Sequence, residues 1–183
     1  MGQFLSSHDE DGFLYSKLHG DIAKMKVAAT LQITAKGQPV IYYGEEINLS
    51  GPNVYGMLAN NRYDMQWDNL TADQSSMLHH YTQLLNIRGK YSKILSKGSR
   101  SKIGGSDHER YLAFSREYNG EYVAVAINIQ NYPQTVKFHT PFEAGMKLMD
   151  YYNEVPYTVD HDGNITIMIP SSQDGGTVIL AKG

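Results

Sequence analysis

The stretch that decides the fold is Gly37-Gln38-Pro39-Val40-Ile41-Tyr42-Tyr43-Gly44-Glu45-Glu46. Its centre, residues 39–43, is a continuous apolar run, which predicts a strand buried on both faces, as in a parallel sheet. Gly37 suits the position after a helix C-terminus, and Pro39 blocks the continuation of a helix. The run therefore follows a helix through a short turn, which is half of a βαβ repeat.

Helical patterns flank this run on both sides. The first helix is predicted from about Gly20 to Lys36, with Asp21 near its start, where a carboxylate can cap free N–H groups. The second begins at the capping-box pattern Thr71-Ala72-Asp73-Gln74 and ends at Gly89. The intervening residues 44–69 are irregular and rich in Asn and Gly, and loops of that length are usually functional or disordered.

Beyond residue 90 the pattern changes to short alternating segments separated by turn signals. The dipeptide Asn119-Gly120 predicts a hairpin, and the strand after it carries apolar residues on one face: Val123, Val125, Ile127 and Ile129. Strands are predicted at Glu109–Tyr118, Glu121–Ile129, Thr135–His139, Met146–Tyr151, Asn164–Ile169 and Thr177–Ala181. This spacing predicts an antiparallel sandwich of seven or eight strands with Greek-key connections.

Composition excludes several classes of protein. The 183 residues include no cysteine, so neither a disulfide framework nor a thiolate metal site is expected. A net charge of −3 gives no basic footprint for nucleic acid, and no apolar run approaches the roughly 18 residues that span a membrane. The start of the chain lacks the pattern of a signal peptide. The location stays open, with a bacterial extracellular or cell-surface protein favoured over a cytoplasmic one.

Three blocks of this sequence resemble the α-amylase superfamily, family 13 of the glycoside hydrolases. Phe4–Asp9 is similar to the motif that ends the seventh barrel strand with a His-Asp pair. Gly37–Glu46 is similar to the eighth strand and its loop, and Asn61–Asp68 to the Arg-Met-Trp segment before the last helix. The local sequence of these blocks resembles that of bacterial pullulanase or amylopullulanase-type members most. The resemblance implies an α/β part, residues 1–90, that ends a (β/α)₈ TIM barrel, and an all-β C-terminal domain, residues 91–183.

The resemblance also implies a chemistry, the retaining hydrolysis of α-glucosidic bonds in starch- or pullulan-like polysaccharides. Retaining enzymes use a nucleophilic carboxylate and a carboxylic acid roughly 5–5.5 Å apart. In the family these lie on the fourth and fifth strands, which should precede residue 1, so this chain alone is expected to be inactive. Asp9 matches a third carboxylate, whose implied role is to stabilise the transition state. His8 matches the neighbouring histidine, which donates a hydrogen bond to the sugar.

Four further residues are candidates for substrate binding, and each has an alternative role. Tyr43 lies at the rim or in the core of the barrel. Glu45 shapes the cleft or caps its loop. Arg62 and Trp67 line outer subsites, where aromatic faces stack on sugars, or pin the long loop to the barrel. On spacing alone, the pair His8-Asp9 could be a loop without a role, since short motifs have high false-positive rates.

No metal site or cofactor is predicted. Residues 9–12 and 160–164 resemble calcium loops but lack the full alternation and the distal Glu, which favours simple turns. Calcium in the parent enzyme stays open, because family sites often draw ligands from other segments. The expected partners are an α-glucan and the preceding barrel part, and exposed strand edges in residues 1–90 could lead to self-association. The alternative is a non-catalytic β domain that binds carbohydrate or stabilises the barrel.

Overall fold

The computed structural model describes residues 2–53 and 61–183, and its first half is built around a short parallel pair of strands. Strand β1 (Gly2–Gln3) pairs with β2 (Gln38–Pro39). Two helices lie between them in sequence, and the Gln32 side chain of the longer one donates to the carbonyls of Gln3 at 3.2 Å and Val40 at 3.0 Å. The predicted strand–helix–strand unit of a barrel is confirmed.

The described residues form four helices, α1 (Phe13–Ser16), α2 (Ile22–Thr34), α3 (Ala72–Lys90) and α4 (Ser92–Lys97), with 3₁₀ turns at Glu45–Ile47 and Ser172–Asp174. Two of the four helices, α2 and α3, begin where the sequence predicts them, whereas the short helices α1 and α4 were not predicted. Asp21 caps α2 by accepting the amide of Lys24 at 3.0 Å, and Thr71 with Gln74 forms a complete capping box on α3. Gly89 does not end α3, which continues to Lys90. Both capping predictions are therefore correct at the N-termini, where side chains decide the boundary.

The apolar run after α2 is less buried than predicted. Ladder pairing covers only Gln38–Pro39, and Val40 is 50% exposed. Within residues 2–53 and 61–183, β1 is the one strand that pairs with β2. The run is therefore not covered on both faces, because a buried parallel strand needs a neighbour on each edge and layers above and below.

A buried arginine closes the C-terminal end of α2. Arg88, on α3, donates hydrogen bonds to the carbonyls of Ile33, Ala35 and Gly37. The last carbonyls of a helix have no partner within the helix. The Arg88 guanidinium supplies the missing hydrogen-bond donors, and it thereby fixes the turn that leads into β2.

Eight strands form the second half of the chain. They are β3 (Ser99–Ser106), β4 (Tyr111–Tyr118), β5 (Glu121–Asn128), β6 (Gln134–His139), β7 (Lys147–Asp150), β8 (Val155–Thr158), β9 (Asn164–Ile169) and β10 (Thr177–Lys182). One sheet has the order β3-β4-β5-β10-β7-β8, and β6 pairs with β9 in a second sheet, all antiparallel. The chain thus leaves the larger sheet twice, at β6 and at β9, before β10 returns beside β5, and the predicted antiparallel sandwich is confirmed.

The larger sheet is covered on both faces. Val123, Val125 and Ile127 of β5 pack with the helices, whereas Ala124 and Ala126 pack in the core shared with β6 and β9. The molecule therefore has three layers: helices, a six-stranded sheet and a two-stranded sheet. Ile129 lies beyond the end of β5 and is 44% exposed, so its predicted place on the apolar face was wrong.

A buried polar network crosses the junction between helices and strands. His80 Nε2 donates to the carbonyl of Lys26 at 2.8 Å, and His80 Nδ1 accepts from the hydroxyl of Tyr152 at 2.5 Å. A carbonyl can only accept, which assigns the proton to Nε2. Burial lowers the pKa of His80 to about 4. The hydroxyl groups of Thr30 and Thr177 form a hydrogen bond of 2.7 Å. The two parts on either side of residue 90, whose division into domains stays a proposal, are therefore tied together.

No helix among the described residues combines the length and the apolar character needed to cross a membrane.

Candidate functional site

The structure brings His8, Asp9 and Arg62 together at the end of the parallel pair. Asp9 follows β1, and its side chain is 71% exposed. Its Oδ1 lies 3.2 Å from His8 Nε2 and 3.4 Å from Arg62 Nη2. Both contacts fall on the same carboxylate oxygen, so Oδ2 is the oxygen that faces away from these two donors.

Asn61 holds the loop that carries Asp9, and sequence reasoning gave it no role. This residue is 3% exposed, and its Nδ2 donates to the carbonyls of Ser7 at 2.7 Å and Glu10 at 2.9 Å. Its own carbonyl accepts the hydroxyl of Tyr42 at 2.5 Å. Asn61 opens the block Asn61–Asp68, but nothing in that block indicates that its side chain reaches the carbonyls of residues 7 and 10.

Tyr43 is partly exposed and packs against Tyr42, and its place at the barrel rim stays a prediction. The rings of Tyr42 and Tyr43 stack edge to face with centroids 4.9 Å apart. The Tyr43 hydroxyl donates to the carbonyl of Tyr63 at 2.9 Å, and its side chain is partly exposed. Burial raises the pKa of Tyr42 to about 12, with Tyr43 adding to the shift. Tyr42 is therefore a neutral hydrogen-bond donor to Asn61.

Glu45 lies beneath the rim rather than on it. It is 3% exposed, and its Oε2 accepts the amide of Tyr42 at 3.3 Å. Burial raises the pKa of Glu45 to about 7, against the opposing effect of hydrogen bonding from Ser6 and Tyr42. Its place at the start of a 3₁₀ turn and its contact with a loop amide support the loop-capping role. Direct substrate binding by Glu45 stays a prediction.

Trp67 presents a free ring to solvent, since 80% of the residue is exposed. The neighbouring Gln66 is tied to α3 by a 3.0 Å bond between its Oε1 and Gln74 Nε2. Stacking of Trp67 on a sugar stays a prediction. Residues 54–60 of the predicted functional loop lie outside the described residues.

The described acidic and histidine side chains do not converge on a common point that could hold a metal ion. Residues 2–53 and 61–183 hold no group of three or more His, Asp or Glu side chains arranged around one point. The acidic residues 160–164 form a tight turn, in which Asp160 Oδ1 accepts the amides of Asp162 at 3.0 Å and Asn164 at 2.8 Å. Its oxygen is thus committed to backbone donors, as in an Asx turn.

Exposed aromatic rings are scarce in the β half. Within residues 91–183, all of which the structure describes, Tyr132 is the one aromatic residue with a largely exposed side chain. A carbohydrate platform on a sheet stacks successive sugars on several rings. The face of the sandwich has no such row.

Comparison with known proteins gives one family. Residues 1–69 match the family model described as alpha amylase, catalytic domain. Neopullulanase 2 of Thermoactinomyces vulgaris is 30% identical over 82% of this chain and 24% of that protein. The cyclomaltodextrinase of Geobacillus thermopakistaniensis is 31% identical over 69% of this chain and 20% of its own length.

A solved structure supports the same fold across both halves. The α-amylase of Geobacillus thermoleovorans, complexed with acarbose, superposes with a TM-score of 0.79. It shares 21% identity over 98% of this chain and 38% of its own. This chain spans about a quarter of the curated relatives that it matches. These findings support the family, and they do not support the predicted narrower likeness to pullulanases.

Proposed function

Residues 1–69 of this chain belong to the alpha-amylase family, and from that premise we propose that it is the C-terminal part of a retaining glycoside hydrolase. The proposed reaction is cleavage of α-glucosidic bonds in starch- or pullulan-like polysaccharides. Such cleavage needs a nucleophile and a general acid, which the family places on strands that precede this segment. The proposed contribution of this chain is Asp9, the third carboxylate.

The observation that carries the proposal is the exposed Asp9 carboxylate beside His8 and Arg62. Positive charge develops on the sugar ring in an oxocarbenium-like transition state. A fixed anion at that point stabilises the charge, and more strongly in a water-poor cleft than in bulk water. Arg62 holds Oδ1, so Oδ2 can meet the sugar, while His8 can donate a hydrogen bond to a sugar hydroxyl.

The proposed substrate class is an α-glucan, either a polysaccharide or an oligosaccharide. The curated relatives bear the names neopullulanase and cyclomaltodextrinase, and the Geobacillus thermoleovorans α-amylase was crystallised with acarbose. The proposal extends to oligosaccharides as well as polymers, because the rim at Asp9 is open to solvent.

Acarbose titration of the pure chain, followed by NMR of the backbone amides, tests this proposal. We expect shifts centred on residues 7–10 and 62, and we expect Asp9→Asn to raise the acarbose concentration that gives half of the shift by about tenfold or more, because the anion is lost while the shape is kept. Asp107→Asn, an exposed aspartate in the turn before β4, is the matched control. An unchanged half-saturation concentration in Asp9→Asn, or turnover of pullulan by the pure chain, would contradict the proposal.

A second function is proposed for residues 91–183, the stabilisation of the barrel end. Its support is the apolar core that joins β4, β5 and β10 to the helices, together with the lack of a row of exposed rings in this half. Among the described residues β2 pairs only with β1, on one edge, so the preceding part of the barrel is the proposed partner of its other edge. In its absence we expect self-association there, which light scattering during size exclusion measures; a monomer at all concentrations would argue against it.

A further inference from the structure

We propose that Asn61 is the positioning residue for Asp9, because one buried carboxamide grips the backbone on both sides of the His8-Asp9 pair. This inference rests on the proposed function of Asp9. It assigns to Asn61 no contact with the sugar and no part in proton transfer. Its role is to set where the carboxylate stands.

The side chain of Asp9 has little packing to hold it. His8 and Asp9 are exposed by 59% and 71% of their side chains, so their positions depend on the backbone beneath them. The carbonyls of Ser7 and Glu10 flank that pair, and both accept from the same Nδ2 of Asn61. The two residues between these anchors are thereby confined to a short bridge.

The orientation of the Asn61 amide is fixed by chemistry. Its NH₂ group has two hydrogens, and both are used on carbonyls, which can only accept. A flipped amide would set its oxygen against two carbonyl oxygens in a buried place, where an unsatisfied polar group is costly. Gly12 lies against the other side, since a Cβ there would approach Asn61 Oδ1 to 3.0 Å and Ser50 Oγ to 2.1 Å.

Asn61 also connects the Asp9 loop to the second strand of the parallel pair. Its carbonyl accepts the hydroxyl of Tyr42, which follows β2. The next residue, Arg62, places its guanidinium against Asp9 Oδ1. The dipeptide Asn61-Arg62 therefore holds both the backbone around Asp9 and its carboxylate. Through Tyr42 it also links them to the segment that follows β2.

The backbone of Asn61 supplies a clean substitution. Its φ is +52°, a left-handed conformation that Asn, Asp and Gly adopt more readily than other residues. Asn61→Asp keeps the volume and suits the backbone, but it replaces the two donors by acceptors. Asn69 is the matched control, because it has a φ of +57° and is exposed.

The experiment compares Asn61→Asp with Asn69→Asp in the intact chain. Loss of two buried hydrogen bonds should loosen the backbone of residues 7–10 and lower their ¹⁵N order parameters from about 0.85 towards 0.6 or below, without a matching change in β5. Asn69→Asp should leave the order parameters of residues 7–10 unchanged. Unchanged order parameters of residues 7–10 in Asn61→Asp would overturn the proposal. Should this variant not fold, Asn61→Gly removes the same donors without adding charge, and the same outcome decides.

A double-mutant cycle separates positioning from a general structural effect. Asn61→Asp should weaken acarbose binding by about tenfold in the natural background and have no further effect in an Asp9→Asn background. Equal losses in both backgrounds would show that Asn61 does not act through Asp9. If the natural chain does not bind acarbose, the proposed function fails, and the order parameters of residues 7–10 still decide the role of Asn61.

Discussion

The barrel end and the sandwich are held together in different ways. Around Asp9, single polar contacts such as those of Asn61, Tyr42 and Glu45 define the shape, and the parallel strands pair over only two residues each. In the sandwich, long antiparallel ladders and two apolar cores define the shape. The difference teaches that a substitution at the rim can move a functional group while the fold survives, whereas a core substitution acts on the whole molecule.

The largest expected effect comes from Ile179→Ala in β10, which tests whether the helices and the sheet share one core. Ile179 is fully buried among residues of both parts, so the cavity should lower the free energy of unfolding by about 2–5 kcal/mol. Denaturant unfolding followed by circular dichroism, at one wavelength dominated by helix and one dominated by strand, should show the midpoints of both transitions falling together. The control Ile129→Ala, at an exposed isoleucine, should change little. A shift confined to the strand signal would break the shared-core interpretation.

The next effect is a pair of opposite pH dependences, one at the rim and one at the junction between the two regions. Native Glu45 holds its proton up to a pKa of about 7, whereas the unfolded chain releases it near 4.5. Raising the pH through that window therefore lowers the free energy of unfolding, by on the order of 3 kcal/mol. Native His80 resists protonation down to about 4, whereas the unfolded chain takes up a proton near 6.5. Lowering the pH from 6.5 towards 4 therefore also costs stability, by a similar amount.

Stability measured between pH 4 and 8 separates the two groups. Glu45→Gln should remove the fall above pH 4.5 and leave the acid-side loss, and His80→Gln should do the reverse. Regional hydrogen exchange should locate the first change near the 3₁₀ turn at Glu45–Ile47 and the second at the junction. Identical pH profiles for the natural chain and Glu45→Gln would mean that the burial of this carboxyl has no energetic consequence.

The smallest expected effect on stability is that of Trp67→Ala. The ring is 80% exposed, so the free energy of unfolding should change by less than about 0.5 kcal/mol. If Trp67 lines an outer subsite, the same substitution should weaken acarbose binding in calorimetry. Tyr132→Ala, at the exposed ring of the other region, serves as the control. A large loss of stability in Trp67→Ala would show that the ring pins the loop instead.

Much of the fold could be predicted from local chemistry. The caps at Asp21 and Thr71 and the hairpin at Asn119-Gly120 were correct, because each depends on a few adjacent side chains. Strands β3 and β8 were missed. Strand β3 is an exposed edge with a bulge near Gly104 and therefore lacks apolar alternation. The sequence predicted that Val123 lies on the buried face of its strand, but not that helices cover this face. Alternation of apolar residues shows which side of a strand is buried and does not show which element packs on it.

The site was predictable where a motif carried it. His8, Asp9 and Arg62 came from resemblance and meet in space, whereas Asn61 and the burial of Glu45 could not be read from sequence. Asn61 acts through contacts that span 51 and 54 positions of chain. No local pattern encodes which carbonyls a distant amide will reach. The substrate-binding roles of Tyr43, Glu45, Arg62 and Trp67 stay predictions.

The two-sided burial of the six-stranded sheet limits how such proteins can be recombined. A chimera that exchanges only residues 91–183 between relatives would set the helix-facing side of one sheet against the helices of another, and the volumes at Val125 and Ile179 would no longer match. The unit that can be transplanted is larger than the strands. It includes α2, α3 and α4. A chimera that folds should therefore join the two parent sequences before α2 rather than at the boundary near residue 90.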